Sequence, residues 1–149
     1  MVDCIVNLLQ VTVANNKATN EGGGVDNDGG AIALSNAFIV NNTAPVGDNL
    51  KGAGIANTRS FIGSDPMLSP LGDFGGPTQT HMPLDGSAAR EAGDNGAADG
   101  LGTDQRGFSR IVGTVDLGAV EANASMPNDG VVSTLDDVVA PFDGKTSLR

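Results

Sequence analysis

The feature that most constrains this chain is an internal repeat. Val13-Ala-Asn-Asn-Lys-Ala18 returns as Ile39-Val-Asn-Asn-Thr-Ala44, an offset of 26 residues, and Gly22-Gly-Gly-Val-Asp-Asn27 returns as Gly52-Ala-Gly-Ile-Ala-Asn57, an offset of 30. The four extra residues fall between Pro45 and Lys51, where Pro and Gly mark a loop. Within each unit apolar and polar residues alternate over short stretches (Leu9, Val11, Val13; then Ile32, Leu34), with Gly or Asn at every break. Alternation at period two is a strand signal, and Gly or Asn at the breaks gives tight corners. A repeat of strands with a period in the high twenties points to a parallel β-solenoid with one coil per repeat. That reading stacks Val13 on Ile39 and Val25 on Ile55. It also aligns Asn16 with Asn42 and Asn27 with Asn57 as side-chain amide ladders that satisfy turn backbone. An antiparallel sandwich with Asn-rich hairpins is the alternative, but hairpins do not require the same residues at repeat distance.

Composition agrees with strands and excludes several functions. Gly contributes 22 of 149 residues, Asp 15 and Asn 13, whereas Lys and Arg together number 8 and Glu only 3. Exposed helix formers are too scarce for a helical bundle. The net charge of −10 opposes nucleic-acid binding, which needs Lys and Arg against phosphate. The absence of Trp and Tyr removes the usual stacking platforms for bases and sugars. An acidic, Lys-poor chain suits an extracellular or cell-surface location. No stretch approaches the roughly 20 apolar residues of a membrane span, and no signal peptide opens the chain, so targeting and anchoring segments are expected outside it. The lone Cys4 gives no disulfide framework and is expected in an apolar core strand.

After Phe61 the character changes. Pro66, Pro70, Pro77 and Pro83 crowd one stretch and forbid regular strands or helices there. The expected organisation is three segments: β-helix coils over 1–63, a loop-rich capping segment lying across them over 64–121, and a linker with a C-terminal strand over 122–149. Short strands are expected at 109–115, 117–121 and 131–139.

The middle segment reads Asp65-Pro-Met-Leu-Ser-Pro-Leu-Gly-Asp-Phe-Gly-Gly-Pro-Thr-Gln-Thr-His81, then Gly86-Ser-Ala-Ala-Arg-Glu-Ala-Gly93, then Thr103-Asp-Gln-Arg-Gly107, then Val115-Asp-Leu-Gly-Ala-Val-Glu121. These four blocks, in this order over about 58 residues, resemble the choice-of-anchor Q region of polymorphic outer-membrane-protein-like β-helix proteins of bacterial surfaces. The departures are Ala88 where that pattern has Pro, Arg90 where it has Ile, and Val120 where it has Phe. The end of the chain, Ser133 to Arg149, resembles the opening of the Ser-Leu-Arg-Glu-Ala motif that starts such β-helices. The resemblance implies a right-handed parallel β-helix, a surface or fibre-forming role, and a chain that is one piece of a larger protein.

Candidate chemistry is sparse. His81 is the single His, so any Ser-His-Asp arrangement must use it, with Ser64, Ser87 and Asp85 nearby in sequence. No nucleophile elbow surrounds either serine, and a structural hydrogen bond is the natural role for His81. Paired carboxylates suit a polysaccharide-active enzyme, yet the solenoid half offers only Lys17, Lys51 and Arg59, and none of them is expected beside Asp26. Asp26-Asn-Asp-Gly29 starts like a calcium loop, which makes Asp26 and Asp28 candidate ligands, although a turn role accounts for the same residues. Arg106 and Asp116 are expected to form one structural ion pair. The reading that follows is a non-catalytic structural module without a cofactor, with an enzyme fragment or a glycan-binding adhesin as alternatives. Because Cys4 to Val11 opens the chain as an apolar strand without a polar cap, end-to-end self-association is expected, the 131–139 strand of one copy completing the open coil of the next; the alternative is a fragment of a longer solenoid whose neighbouring coils are missing.

Overall fold

The computed structural model describes residues 4–65 and 67–124. Its regular elements are strands: β1 (Ile5–Leu9), β2 (Thr12–Ala14), β3 (Val25–Asn27), β4 (Ala31–Ser35), β5 (Phe38–Val40), β6 (Leu50–Gly52), β7 (Ile55–Thr58) and β8 (Phe61–Gly63). Among the described residues the single helical element is a 3-10 turn at Asn95–Ala98, so the chain is all-β. Three parallel sheets result, ordered β1-β4-β7, β2-β5-β8 and β3-β6, and the chain visits them in turn.

The register locates the repeat. Val13 lies beside Ile39, and both turn to a common core with Leu8, Val25, Ile32, Leu34, Ala37, Leu50, Ile55 and Ile62. All three sheets contribute a face to this core. Val25, however, pairs with Leu50 rather than with Ile55, and Ile55 pairs with Ile32. The step between paired residues is 26 from β1 to β4, 25 from β3 to β6 and 23 from β4 to β7. The matching Gly-rich segments therefore occupy different places. The later one supplies the corner between β6 and β7, two residues tighter than the corner between β3 and β4. Gly54 permits the tighter corner: its φ is +71°, and a Cβ there would meet the Gly30 carbonyl oxygen at 2.6 Å.

Left-handed residues recur at fixed register. Gln10, Asn36 and Arg59 each follow a strand of the first sheet, and Asn15 and Asn41 follow strands of the second. Each turns the chain from one sheet toward the next.

The loop-rich segment packs on the outer face of the β2-β5-β8 sheet. Phe38 and Val40 point out from β5 and join Ala89 and Leu117, with Ala14, Phe61, Leu68 and Ala92 around them. Ile39, between them, points inward, so β5 is buried on both faces. The Phe38 and Phe61 rings sit 5.7 Å apart. Strands expected at 109–115 and 117–121 do not form. Backbone amides there donate to carboxylates instead: Asp116 to Glu121, Glu121 to Asp104, and Ala122 to Asp116. Side chains supply the acceptors that a strand ladder would otherwise supply. Cys4, expected in a core, is exposed. The expected strand at 131–139 lies outside the described residues, as does all but the start of the linker.

Candidate functional site

Two asparagines that sequence reasoning passed over hold the loop segment to the sheets. Asn36 accepts from the Asp94 N–H at 2.8 Å and donates to the Asp94 carbonyl at 2.9 Å. Asn41 does the same with Asp65, at 2.9 and 2.8 Å. Each side-chain amide thus mimics one step of a strand ladder. The signal available in sequence was the corner position, since a left-handed residue with a short amide can turn the chain and still reach a neighbour.

The Asn ladder exists on one side. The Asn42 side-chain oxygen accepts from both the backbone and side-chain nitrogens of Asn16 at 2.9 Å, and Asn42 donates to Asn49 at 3.0 Å. Asn49 in turn donates to the Gly63 carbonyl at 2.8 Å. Asn27 and Asn57 do not stack. Asn27 is in register with Gly52 and donates to the Ala53 carbonyl, whereas Asn57 closes an exposed turn onto Ser60.

Nor do Asp26 and Asp28 gather a cation site. Contrary to expectation a basic residue does lie beside Asp26: β3 and β6 put Lys51 in register with it, 3.6 Å from Asp26 and 2.7 Å from Glu21, and Asp28 points to solvent. The Glu21 hydrogen bond raises the pKa of Lys51. His81 contacts the Ser69 carbonyl at 2.7 Å through Nδ1. Ser87 donates to Asp65 at 2.6 Å, and Asp85 pairs with Arg90. Among the described residues His81 makes no hydrogen bond to a serine hydroxyl or a carboxylate, so no triad is assembled.

Charge is concentrated beneath the last two sequence blocks. The expected pair of Arg106 with Asp116 is replaced by Arg106 with Asp104, whose Oδ2 accepts from both Nε and Nη2 at 3.0 and 2.8 Å. Asp104 lies in the same turn, where it also accepts from the Arg106 and Phe108 amides. Gly76 lets the chain lie against this turn: a Cβ there would meet the Arg106 Cα at 2.5 Å. Arg106 stacks 4.4 Å over the Phe108 ring and donates to the Glu121 carbonyl at 2.6 Å. Asp116 is occupied otherwise. Its two oxygens accept from the Glu91 and Ala122 amides, each at 2.7 Å.

Arg110, 2 % exposed, turns its Nη2 to the Asp116 and Gly118 carbonyls and to Gln10, while its Nε and Nη1 have no partner. Desolvation lowers its pKa against the pull of Glu121, Asp104 and Asp116. Glu121 is fully buried: Oε2 accepts from the Asp116 N–H at 3.0 Å, and no donor closes a hydrogen bond to Oε1. Burial first, and then the Asp116 charge, push its pKa up to about 7, against the Asp116 and Val112 N–H groups and Arg110. One oxygen each from Glu91, Asp116 and Glu121 lies within 4.8 Å of the other two. Sequence reasoning missed this group because Glu91 comes from an earlier block and meets the Asp116–Glu121 stretch only through the folded loop segment.

Comparison of the chain with family models, with curated proteins and with solved structures gives no match.

Proposed function

We propose that the chain is a non-catalytic structural segment of a right-handed parallel β-helix from an extracellular or cell-surface protein, similar to those that carry a choice-of-anchor Q region, and that it associates end to end. Support for the solenoid is the fixed order in which the chain visits three parallel sheets around one core. Right-handedness follows from the hand that parallel crossovers take almost without exception. The observation that carries the assembly is β1. It is an edge strand whose Ile5, Val6 and Leu9 are 65, 44 and 41 % exposed, and it has a parallel partner on one side only among the described residues. An apolar open edge of this kind templates another strand. A strand from a second copy extends the β1-β4-β7 sheet, and a head-to-tail contact that does not close makes a filament.

Light scattering and negative-stain microscopy on the full chain test this. The expected result is concentration-dependent linear association that Ile5→Lys with Leu9→Lys suppresses, leaving far-ultraviolet circular dichroism unchanged. A wild-type chain that stays monomeric at high concentration overturns the assembly. Release of unsaturated or reducing ends from acidic polysaccharides would overturn the non-catalytic reading, and selective retention on a glycan array would turn it toward an adhesin.

A further inference from the structure

The carboxylates beneath the last two sequence blocks form an incomplete shell. From their geometry we infer that Glu91, Asp116 and Glu121 bind a hard divalent cation of calcium type, which ties the Glu91 turn to the Asp116–Glu121 stretch of the loop-rich segment.

Four observations converge on this. First, the three carboxylates each bring an oxygen within 4.8 Å of the other two, the spread expected of donors that each stand 2.3–2.6 Å from one Ca²⁺. Among the described residues no other group of three acidic, His or Cys side chains gathers this way.

Second, Glu121 is fully buried and its Oε1 has no hydrogen-bond partner. Buried polar atoms are almost always satisfied, and a cation would satisfy this one.

Third, no cationic side chain among the described residues pairs directly with these carboxylates. Among the described residues no Lys or Arg nitrogen lies within 4.0 Å of any of the three carboxylates, since Arg106 is engaged by Asp104 and Arg110 is turned toward carbonyls. Two arginines face Asp104, Asp116 and Glu121 in this buried region, and Glu91 adds a fourth negative charge at its rim.

Fourth, the shell is rigid where it is buried and open where an ion must enter. Asp116 is fixed by two backbone amides, Glu121 by one, and Glu91 by the Thr114 N–H at 2.8 Å. Glu91 is exposed, which leaves the group reachable from that side. Oxygen-only donors without His or Cys select a hard cation.

The experiment uses the full chain, stripped with EDTA and titrated with CaCl₂ by isothermal titration calorimetry and by thermal unfolding followed by circular dichroism. NaCl at matched ionic strength is the control. The expected result is one site with a Kd on the order of 0.1–1 mM, the range of extracellular calcium modules. The melting temperature should rise by roughly 5–10 °C when Ca²⁺ is about 100 times Kd. Glu91→Gln keeps an acceptor for Thr114. It should melt like wild type in EDTA, yet weaken Ca²⁺ at least about tenfold, because it removes one of three charged ligands. Asp26→Asn with Asp28→Asn should bind Ca²⁺ as wild type does, which separates the site from the general attraction of an acidic chain. Absence of binding up to about ten times that Kd range, a shift reproduced by NaCl, or equal Ca²⁺ affinity in Glu91→Gln would each overturn the inference.

Discussion

At the scale of single residues, Asp104 does most to organise the loop segment. Its carboxylate accepts from the Arg106 and Phe108 amides, from the Glu121 amide and from the Arg106 guanidinium. Arg106 in turn bridges Asp104 to the Glu121 carbonyl. Arg106→Ala leaves a buried carboxylate with amide donors alone and should destabilise the chain by about 3 kcal/mol in urea unfolding. In an Asp104→Asn background the same change should cost at least about 1 kcal/mol less, because the charge it strands is already gone. Coupling between Arg106 and Asp116 should be smaller, since the two make no direct bond. Equal coupling in the two cycles would contradict the observed pairing. Sequence reading expected Arg106 and Asp116 to pair with each other, and both are buried, but apart. It could not say which carboxylate faced which guanidinium, because Asp116 is claimed first by the amides of Glu91 and Ala122.

At the scale of elements, β5 joins the two halves of the molecule. Ile39 turns into the core shared by the three sheets, and Phe38 and Val40 turn out to Ala89 and Leu117. An isolated half-buried strand would carry polar residues at positions 38 and 40, and the unbroken run Phe38-Ile-Val40 is the sequence sign that something covers the outer face. Phe38→Ala should cost about 3–5 kcal/mol and should loosen the loop segment as well as the sheets. Native-state hydrogen exchange would detect this as faster exchange at the Leu117 and Gly118 amides, which bond to Ala89 and Asn36. Unchanged protection at those amides would mean that the segment is held by Asn36 and Asn41 without the apolar contact. The Asn16–Asn42–Asn49 chain is a second element-scale device, and it shows why identical dipeptides at repeat distance are informative. A ladder needs the same amide at the same height in successive passes. The Gly-rich repeat misled for the converse reason: Gly marks a corner of any kind, so its recurrence fixes no register, and Val25 met Leu50 instead of Ile55.

At the scale of the whole molecule, β1 is an edge strand among the described residues, and the proposed assembly runs through it. End-to-end growth through that edge should be lost when residues 131–149 are deleted, because the alternating run from Val131 to Val139 is the strand expected to complete a neighbour's edge. Sedimentation velocity of the deleted chain reads this directly, and persistent association would assign the contact to the β7 edge instead. What the sequence determined by itself was local and periodic: strands rather than helices, parallel stacking of Val13 on Ile39, tight Gly and Asn corners, and a proline-dense segment without regular structure. These follow from alternation, turn chemistry and proline sterics, all of which act within a few residues or at a fixed repeat. Tertiary structure alone decided the shortening of the step from 26 to 23, the clamps at Asn36 and Asn41, and the meeting of Glu91, Asp116 and Glu121. The carboxylates of that last group stand on irregular turns whose backbone amides are bonded by side chains. Where side chains replace a ladder, no period remains in the sequence to show which residues will meet.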